Sequence, residues 1–392
     1  MPAKTRHAWL AVTAVTLGIF SIVTTEILPI GLLTPIGAGF GVSPGTAGLM
    51  MTVPGILAAI AAPAVTVATG RLDRRGMLCA LMLLLALADF LAAVAPSYPV
   101  MMVSRIMVGF VIGAFWSIGA GLAARLVRPE FAGRATAVIF SAVPLGSVLG
   151  VPAGTLLGNL AGWRTAFAVM GALTLAVFAA LLVFLPPLPA VQVTRLAVLR
   201  EIVRGPGTRM GLLLTFLLVL AHFGAYTYVT PFLAEVTHAS PALITALLLL
   251  YGFAGVAGNF LAGGDTDVRK KVVAAASLLA TATLLLPVFG HETAGAVVLL
   301  VVWGLAYGAV PVCSQTWFAQ AAPQAPEAAS VLFTSSFQAT LSLGALAGGV
   351  VVDATSTSTV LLLGGVTASL AVLLVVTPKV LARQRLTRRA AQ

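Results

Sequence analysis

Residues 165–209 read TAFAVMGALTLAVFAALLVFLPPLPAVQVTRLAVLREIVRGPGTR. From Thr165 to Leu185 the stretch carries no charge and is almost wholly apolar. A helix needs about 20 such residues to cross the hydrocarbon of a bilayer. Pro186, Pro187 and Pro189 then forbid its continuation, since proline lacks the N–H and clashes with the preceding turn. Beyond the prolines the chain turns basic and amphipathic through Arg195, Arg200 and Arg204. The reading is a membrane span that exits into a cytoplasmic linker, residues 186–209, lying partly along the membrane surface.

This linker is the longest interruption between apolar runs, and the rest of the chain divides around it. Cutting at glycines, prolines and charge clusters gives twelve spans, at about 9–34, 44–69, 77–95, 99–124, 133–157 and 165–185 before it, and about 210–232, 241–262, 271–289, 294–319, 327–351 and 359–377 after it. The expected organisation is an N-terminal six-helix half over 1–185, the linker, a C-terminal six-helix half over 210–378, and a basic cytoplasmic tail over 379–392.

Composition says the same. Of the 392 residues 60 % are hydrophobic and 8 % charged, against about 45–50 % and 25 % in a soluble domain. Mean hydropathy is +1.08. Lipid must be the main solvent, and there only helices or closed barrels satisfy their own backbone. Barrel strands read as short alternating segments, whereas these runs are long and continuous, so an all-α membrane protein is expected. Its first helix is retained rather than cleaved as a signal peptide, because the apolar run continues through Glu26 to Pro35 without a clear small-residue cleavage site.

The net charge of +11 invites a nucleic-acid partner, but the cations recur in short clusters between spans. With the N-terminus inside, Lys4 and Arg6, Arg71 to Arg75, Arg125 to Arg134, Arg195 to Arg209, Arg269 to Lys271 and Lys379 to Arg389 put 20 of 22 basic residues on the cytoplasmic side. That is the positive-inside pattern, with both termini cytoplasmic. No nucleic acid is implied; the partners are the lipid bilayer and a small solute.

The halves echo each other. Ser43-Pro44 and Ser240-Pro241 each open a second helix, with serine at the cap and proline at the first helical position. Thr25 to Pro29 parallels Thr227 to Pro231, and Gly70 to Asp73 parallels Gly264 to Asp267. Two parallel six-helix repeats with a solute site between them at mid-membrane describe a known transporter plan.

At this point the chain resembles the major facilitator superfamily, and within it the drug/proton antiporter branch, where bacterial sugar (arabinose) efflux proteins and chloramphenicol exporters are most similar. The resemblance rests on Thr25 to Leu33, Arg105 with Gly109, Phe115 to Ile118, Gly150 to Thr155 with Gly162 to Arg164, and Ala221 to Tyr228. It implies twelve transmembrane helices in two pseudo-symmetric halves and proton-coupled efflux of small neutral or amphiphilic solutes such as sugars, glycosides or drugs; the alternatives are a facilitator or importer of the same fold and a membrane sensor that does not transport. The superfamily's loop after the second helix is one residue short here, Gly70-Arg71-Leu72-Asp73-Arg74-Arg75-Gly76. Gly70, Asp73 and Arg74 are expected to form a charged latch there.

Glu26, Asp89 and Arg105 are the carboxylates and guanidinium that fall clearly inside spans. A charge in hydrocarbon costs at least about 2.5–3.5 kcal/mol, which makes such residues functional candidates. Glu26 leads for proton coupling, because Pro29 removes a backbone bond beside it and should open a polar pocket. Arg105 either serves coupling or pairs structurally. Asp89 lies toward the outer end of its helix, where water is expected to reach it. Trp116, eleven residues beyond Arg105 and on the same face, either stacks on a sugar or aromatic solute or packs in the core. In the seventh helix His222 and Tyr226 are one turn apart, with Tyr228 nearby, and Trp303, Tyr307 and Gln315 of the tenth offer a facing polar wall. Gly150, Pro152 and Gly154 have a packing and bending role.

Cys79 and Cys313 are far apart, with no disulfide or metal spacing. No phosphate-binding loop points to ATP, so no cofactor beyond the proton gradient is expected, nor an enzyme. A monomer is expected.

Overall fold

The computed structural model describes residues 3–68, 72–118, 125–189, 196–262 and 267–390. Gly70, part of the expected latch, lies outside the described residues, as do Arg71, Arg195, Gly264 and Asp265. The described residues form helices and no strands.

The N-terminal half comprises α1 (Ala3–Phe40), α2 (Pro44–Ala68), α3 (Arg74–Val94), α4 (Tyr98–Ile118), α5 (Ala132–Ala161) and α6 (Trp163–Phe184). A short helix α7 (Leu196–Val203) occupies the linker. The C-terminal half comprises α8 (Pro206–Tyr226), α9 (Val229–Glu235), α10 (Pro241–Ala262), α11 (Val268–Phe289), α12 (Thr293–Ala321), α13 (Pro326–Ala354) and α14 (Thr357–Ala390). Twelve of these helices are long and apolar enough to cross a membrane among the described residues, as the hydropathy reading expected.

Several boundaries differ from that reading. α1 continues past Pro35 to Phe40 rather than stopping near 34. The expected seventh span, 210–232, is two helices: α8 ends at Tyr226, and α9 begins at Val229 beyond Thr227 and Tyr228. Pro231 sits in the first turn of α9, where its missing N–H costs no helical bond. The α14 backbone stays helical through the expected tail to Ala390.

Helix starts follow local chemistry. Ser43 Oγ accepts the Thr46 N–H (3.1 Å) and Ser240 Oγ the Leu243 N–H (3.3 Å), so both serines cap the helices they precede. Asp73 caps α3 through the Arg75 N–H (3.1 Å), and Asp267 caps α11 through the Arg269 N–H (2.9 Å).

The packing repeats between halves. α1 packs on α5 as α8 packs on α13, α2 on α4 as α10 on α12, and α3 on α6 as α11 on α14. Between halves the main contacts are α2 with α13 and α5 with α10, which exchange with each other under the same correspondence. Glycines set how closely helices approach, as membrane packing favours. Gly146, Gly150, Gly154 and Gly158 lie four apart on α5 and face Val23, Ile27, Leu28 and Leu32 of α1. Gly109 and Gly113 bring α4 against the Pro54 and Ala58 carbonyls of α2.

The bundle has two ends, one bearing the α1–α2 turn and the other the linker. Four hydrogen bonds joining described residues of opposite halves lie toward the first. Asp353 of α13 accepts from Ser43 Oγ (2.5 Å) and Gly45 N–H (2.8 Å), Asn159 donates to the Pro241 carbonyl (3.3 Å), and Thr230 donates to the Ile30 carbonyl (2.8 Å). At the other end the linker is tied to both halves. Leu188 N–H donates to Asp73 Oδ1 (2.8 Å), while Ile202 packs with Phe318, Ala328 and Phe333.

Candidate functional site between the two halves

Prolines build the N-terminal side of this site. A proline inside a helix leaves the carbonyl four residues earlier without its N–H partner, and in a membrane interior that carbonyl needs another donor. Pro29 frees Thr25 and Pro54 frees Met50. The Arg105 guanidinium serves both: Nε donates to the Met50 carbonyl (3.1 Å), and Nη2 donates to the carbonyls of Thr25 (3.1 Å) and Glu26 (3.3 Å). Pro35 frees Gly31, whose carbonyl accepts from Thr155 Oγ1 of α5 (3.2 Å). Arg105 therefore ties α4 to α1 and α2 at their proline-interrupted turns. Among the described residues the one ion pair is Arg128–Glu130 on the surface (2.7 Å), so Arg105 is held by carbonyls and not by contact with a carboxylate.

Asp89 corrects the sequence reading. It is 0 % exposed rather than open to water. Its residue depth along α3 misled, because the side chain turns inward against α1 and accepts from Thr25 Oγ1 through Oδ2 (3.1 Å). Asp89, Thr25 and Arg105 thus form one buried polar group, with Asp89 Oδ1 and Arg105 Nη1 lacking hydrogen-bond partners. Glu26 sits at the edge of this group, 8 % exposed, and faces the opposite half. The Gln338 side chain of α13 neighbours its carboxyl from that half.

The C-terminal side is aromatic. His222 stacks on Tyr307 with ring centroids 3.3 Å apart, and on Tyr226 at 4.9 Å. Tyr251 of α10 stacks on Tyr226 at 4.6 Å. Trp303 stands edge-on to this pile and donates its indole N–H to His222 Nδ1 (3.1 Å). An acceptor at Nδ1 places the imidazole proton on Nε2. Tyr307 also stands edge-on to Phe223, at 5.8 Å between ring centroids.

The structure thus brings together Glu26, Arg105, Asp89, His222, Tyr226, Trp303 and Tyr307. It places the other candidates elsewhere. Tyr228, two residues past Tyr226, points away from the pile: its hydroxyl donates to the Ala345 carbonyl (2.7 Å), and its ring lies against Gly48 and Gly348 at the α2–α13 seam. Gln315 is exposed, about 80° around α12 from Tyr307 at 3.6 residues per turn. Trp116 is half-buried, edge-on to Phe115 and packed into the core of the N-terminal half. Asp73 and Arg74 bind the start of the linker, where the Arg74 N–H donates to the Leu188 carbonyl (2.9 Å). Gly150 and Gly154 pack on α1, and Pro152 is buried in α5.

Two residues of the site escaped sequence reasoning, Gln338 and Tyr251. A separate cavity of about 200 Å³ lies near the α1–α2 turn, lined by Leu33, Thr34, Val42, Pro44, Pro231 and Glu235. It is smaller than ordinary ligand pockets, which span about 300–1,000 Å³, and does not include the central cluster.

The chain matches the Major Facilitator Superfamily over residues 15–334 and again over 211–391, and it belongs to that family of membrane transporters. Among curated relatives it is 34 % identical over 358 residues to the transcription regulatory protein OpdE of Pseudomonas aeruginosa, covering 89 % of this chain and 88 % of that one. Among solved structures it is similar to the human organic anion transporter MFSD10 (TETRAN), with TM-score 0.65 and 18 % identity over 96 % of this chain and 100 % of that one. It is also similar to a bacterial homologue of the human lysosomal transporter Spinster in an inward-facing, occupied conformation, with TM-score 0.69 and 16 % identity over 96 % and 95 % of the two chains. At these identities the two solved structures share the fold.

Proposed function

We propose that this chain is a proton-coupled secondary transporter that exports small neutral or amphiphilic solutes, such as sugars, glycosides or drug-like molecules, by antiport. The observation that carries this reading is Glu26: a carboxyl buried between the two halves, backed by Arg105 and Asp89 and neighboured by Gln338. A carrier that alternates between two orientations changes the surroundings of a group at that seam, and so changes its hold on a proton. Aromatic rings and neutral donors on the C-terminal side suit a hydroxylated or aromatic solute. The protein works in the bacterial inner membrane as a monomer, with both termini in the cytoplasm.

In the export cycle Glu26 takes a proton from outside and the carrier turns inward. The proton leaves, solute binds, and the loaded carrier turns outward. Solute and proton need only prefer different states, because a ligand shifts an equilibrium by its differential affinity. Glu26→Gln mimics the protonated side chain and cannot titrate. Reconstituted in vesicles with labelled arabinose and chloramphenicol as probes, this variant keeps counterflow without a gradient and loses pH-driven accumulation. Normal accumulation by the variant would remove Glu26 from the mechanism.

A second reading is favoured by the name of the curated relative, a transcription regulatory protein. In it, the same fold binds a solute and signals its presence instead of moving it. Solute binding with no counterflow of any probe would select that reading.

A further inference from the structure

The hydrogen bond between Thr25 and Asp89 has no counterpart in the other half among the described residues. The repeat sets Thr25 to Pro29 against Thr227 to Pro231, and the capping residue Asp73 of α3 against Asp267 of α11. Sixteen residues beyond those caps stand Asp89 and Thr283. In the C-terminal half both counterparts bond locally: Thr227 Oγ1 donates to the Phe223 carbonyl (2.6 Å) and Thr283 Oγ1 to the Leu279 carbonyl (2.8 Å), each four residues back. That is the ordinary arrangement of a helical threonine. Thr25 departs from it. Instead of the Ser21 carbonyl four residues back, its hydroxyl serves Asp89 Oδ2 of α3 (3.1 Å), and both residues are fully buried.

An ionised carboxyl only accepts, so ionised Asp89 takes the Thr25 O–H, whereas a protonated carboxyl has an O–H of its own to donate. With a proton on Oδ2, that O–H donates to Thr25 Oγ1, and the Thr25 hydroxyl turns to the Ser21 carbonyl, as Thr227 turns to Phe223. The bond between the two side chains persists and reverses direction. Thr25 is also the hub of the buried group. Its carbonyl accepts from Arg105 Nη2 (3.1 Å), and the same nitrogen serves the Glu26 carbonyl next along (3.3 Å). Two carboxyls thus share one guanidinium, with Asp89 Oδ1 and Arg105 Nη1 unpartnered, and a second buried charge left unmatched is costly. The other ionisable groups on α3 and on the helices packed against it lie near helix starts. Tyr98 of α4 and Arg164 of α6 are bound to the Thr46 and Ala95 carbonyls, Lys4, Arg6 and His7 open α1, and Arg74, Arg75 and Cys79 open α3.

We propose that Asp89 is a second proton-binding carboxyl of this transporter, and that Thr25 is the positioning residue linking its proton to the turn of α1 that carries Glu26. The inference rests on the proton-coupling reading of Glu26 and adds to it a second proton, held inside the N-terminal half rather than at the seam. Each arrival or departure of that proton swings the Thr25 hydroxyl within the turn that Pro29 interrupts and Arg105 holds. Asp89 and Glu26 therefore titrate as a coupled pair.

The test needs no knowledge of the solute. The full chain, reconstituted in lipid, is followed by infrared difference spectroscopy across a pH range. Asp89→Asn, whose amide oxygen still accepts from Thr25, is expected to remove a titrating protonated-carboxyl band distinct from the one removed by Glu26→Gln. Losing that negative charge should also weaken proton binding at Glu26 by about three- to tenfold, a midpoint shift of about 0.5–1 pH unit. Thr25→Val keeps the shape and loses the hydroxyl. It is expected to change the frequency of the Asp89 band and to strengthen proton binding there by about three- to tenfold, because the lost O–H served the ionised form. Thr25→Ser should restore both, and guards against a folding defect in the valine variant. A band lost in Glu26→Gln with none lost in Asp89→Asn would overturn the inference and leave the Glu26 reading in place. So would an Asp89 band that never titrates, or one untouched by Thr25→Val. A titrating band lost in Asp89→Asn with none lost in Glu26→Gln would instead support Asp89 as a proton site and remove Glu26 from the coupling.

Discussion

If Arg105 is held in place by carbonyls that prolines have freed, restoring a peptide N–H should make the arginine less necessary. Pro54→Ala supplies an N–H four residues beyond Met50, where an ordinary helix would satisfy the Met50 carbonyl. In the parent, Arg105→Met leaves that carbonyl and those of Thr25 and Glu26 without their guanidinium donor. Hydrogen bonds to charged groups contribute about 1.5–3 kcal/mol each, so the Met50 bond alone is worth about that much. In the Pro54→Ala background the backbone takes it over, and Arg105→Met should cost less by about 1–3 kcal/mol. The assay is a double-mutant cycle by equilibrium unfolding of purified protein in mixed micelles. Pro44→Ala is the control: Pro44 is the first residue of α2, frees no carbonyl within the helix, and should show no coupling. Costs of Arg105→Met and Pro54→Ala that add within about 0.5 kcal/mol, as for independent sites, would refute the reasoning.

Other outcomes rest on single contacts. An added Cβ at Gly308 would collide with the Gly255 carbonyl, whereas one at Gly255 would sit 3.6 Å from the Gly304 carbonyl; Gly308→Ala should destabilise by at least about 1–3 kcal/mol and Gly255→Ala should be tolerated, as measured by thermal unfolding in detergent. Trp303→Phe removes the N–H donated to His222 Nδ1 and should cost about 0.5–1.5 kcal/mol, with nitrogen NMR of His222 reporting loss of the fixed tautomer. Asp353→Ala removes two bonds across the α1–α2 end. A cysteine placed at Thr34 should then react with thiol reagents about five- to a hundredfold faster, the two bonds together being worth about 1–3 kcal/mol.

The twelve spans were legible because lipid imposes length and apolarity on every helix, and Glu26 and Arg105 because charge in a span is rare enough to notice. Asp89 was found as a charge but misplaced, since depth in the sequence carries no information about which way a side chain faces. Tyr228 looked like a companion of Tyr226. Two residues along a helix is more than half a turn, however, and the break after Tyr226 turns it further toward α13. Gln338 and Tyr251 went unnoticed for a different reason. Neither is charged, Gln338 stands among serines and threonines, and Tyr251 follows four leucines in α10. Pro29, Pro54 and Pro35 could have been read as markers of free carbonyls, but only the folded chain shows which donors from α4 and α5 reach them.

The closure at the α1–α2 end has an energetic consequence. Besides helix packing it includes four hydrogen bonds, from Ser43, Gly45, Asn159 and Thr230, together worth about 2–6 kcal/mol at ordinary net strengths. One elementary charge falling through 100 mV of membrane potential releases about 2.3 kcal/mol. In the transport cycle proposed above, where this end has to open, breaking these bonds would take work comparable to that released by one or two charges crossing an energised membrane.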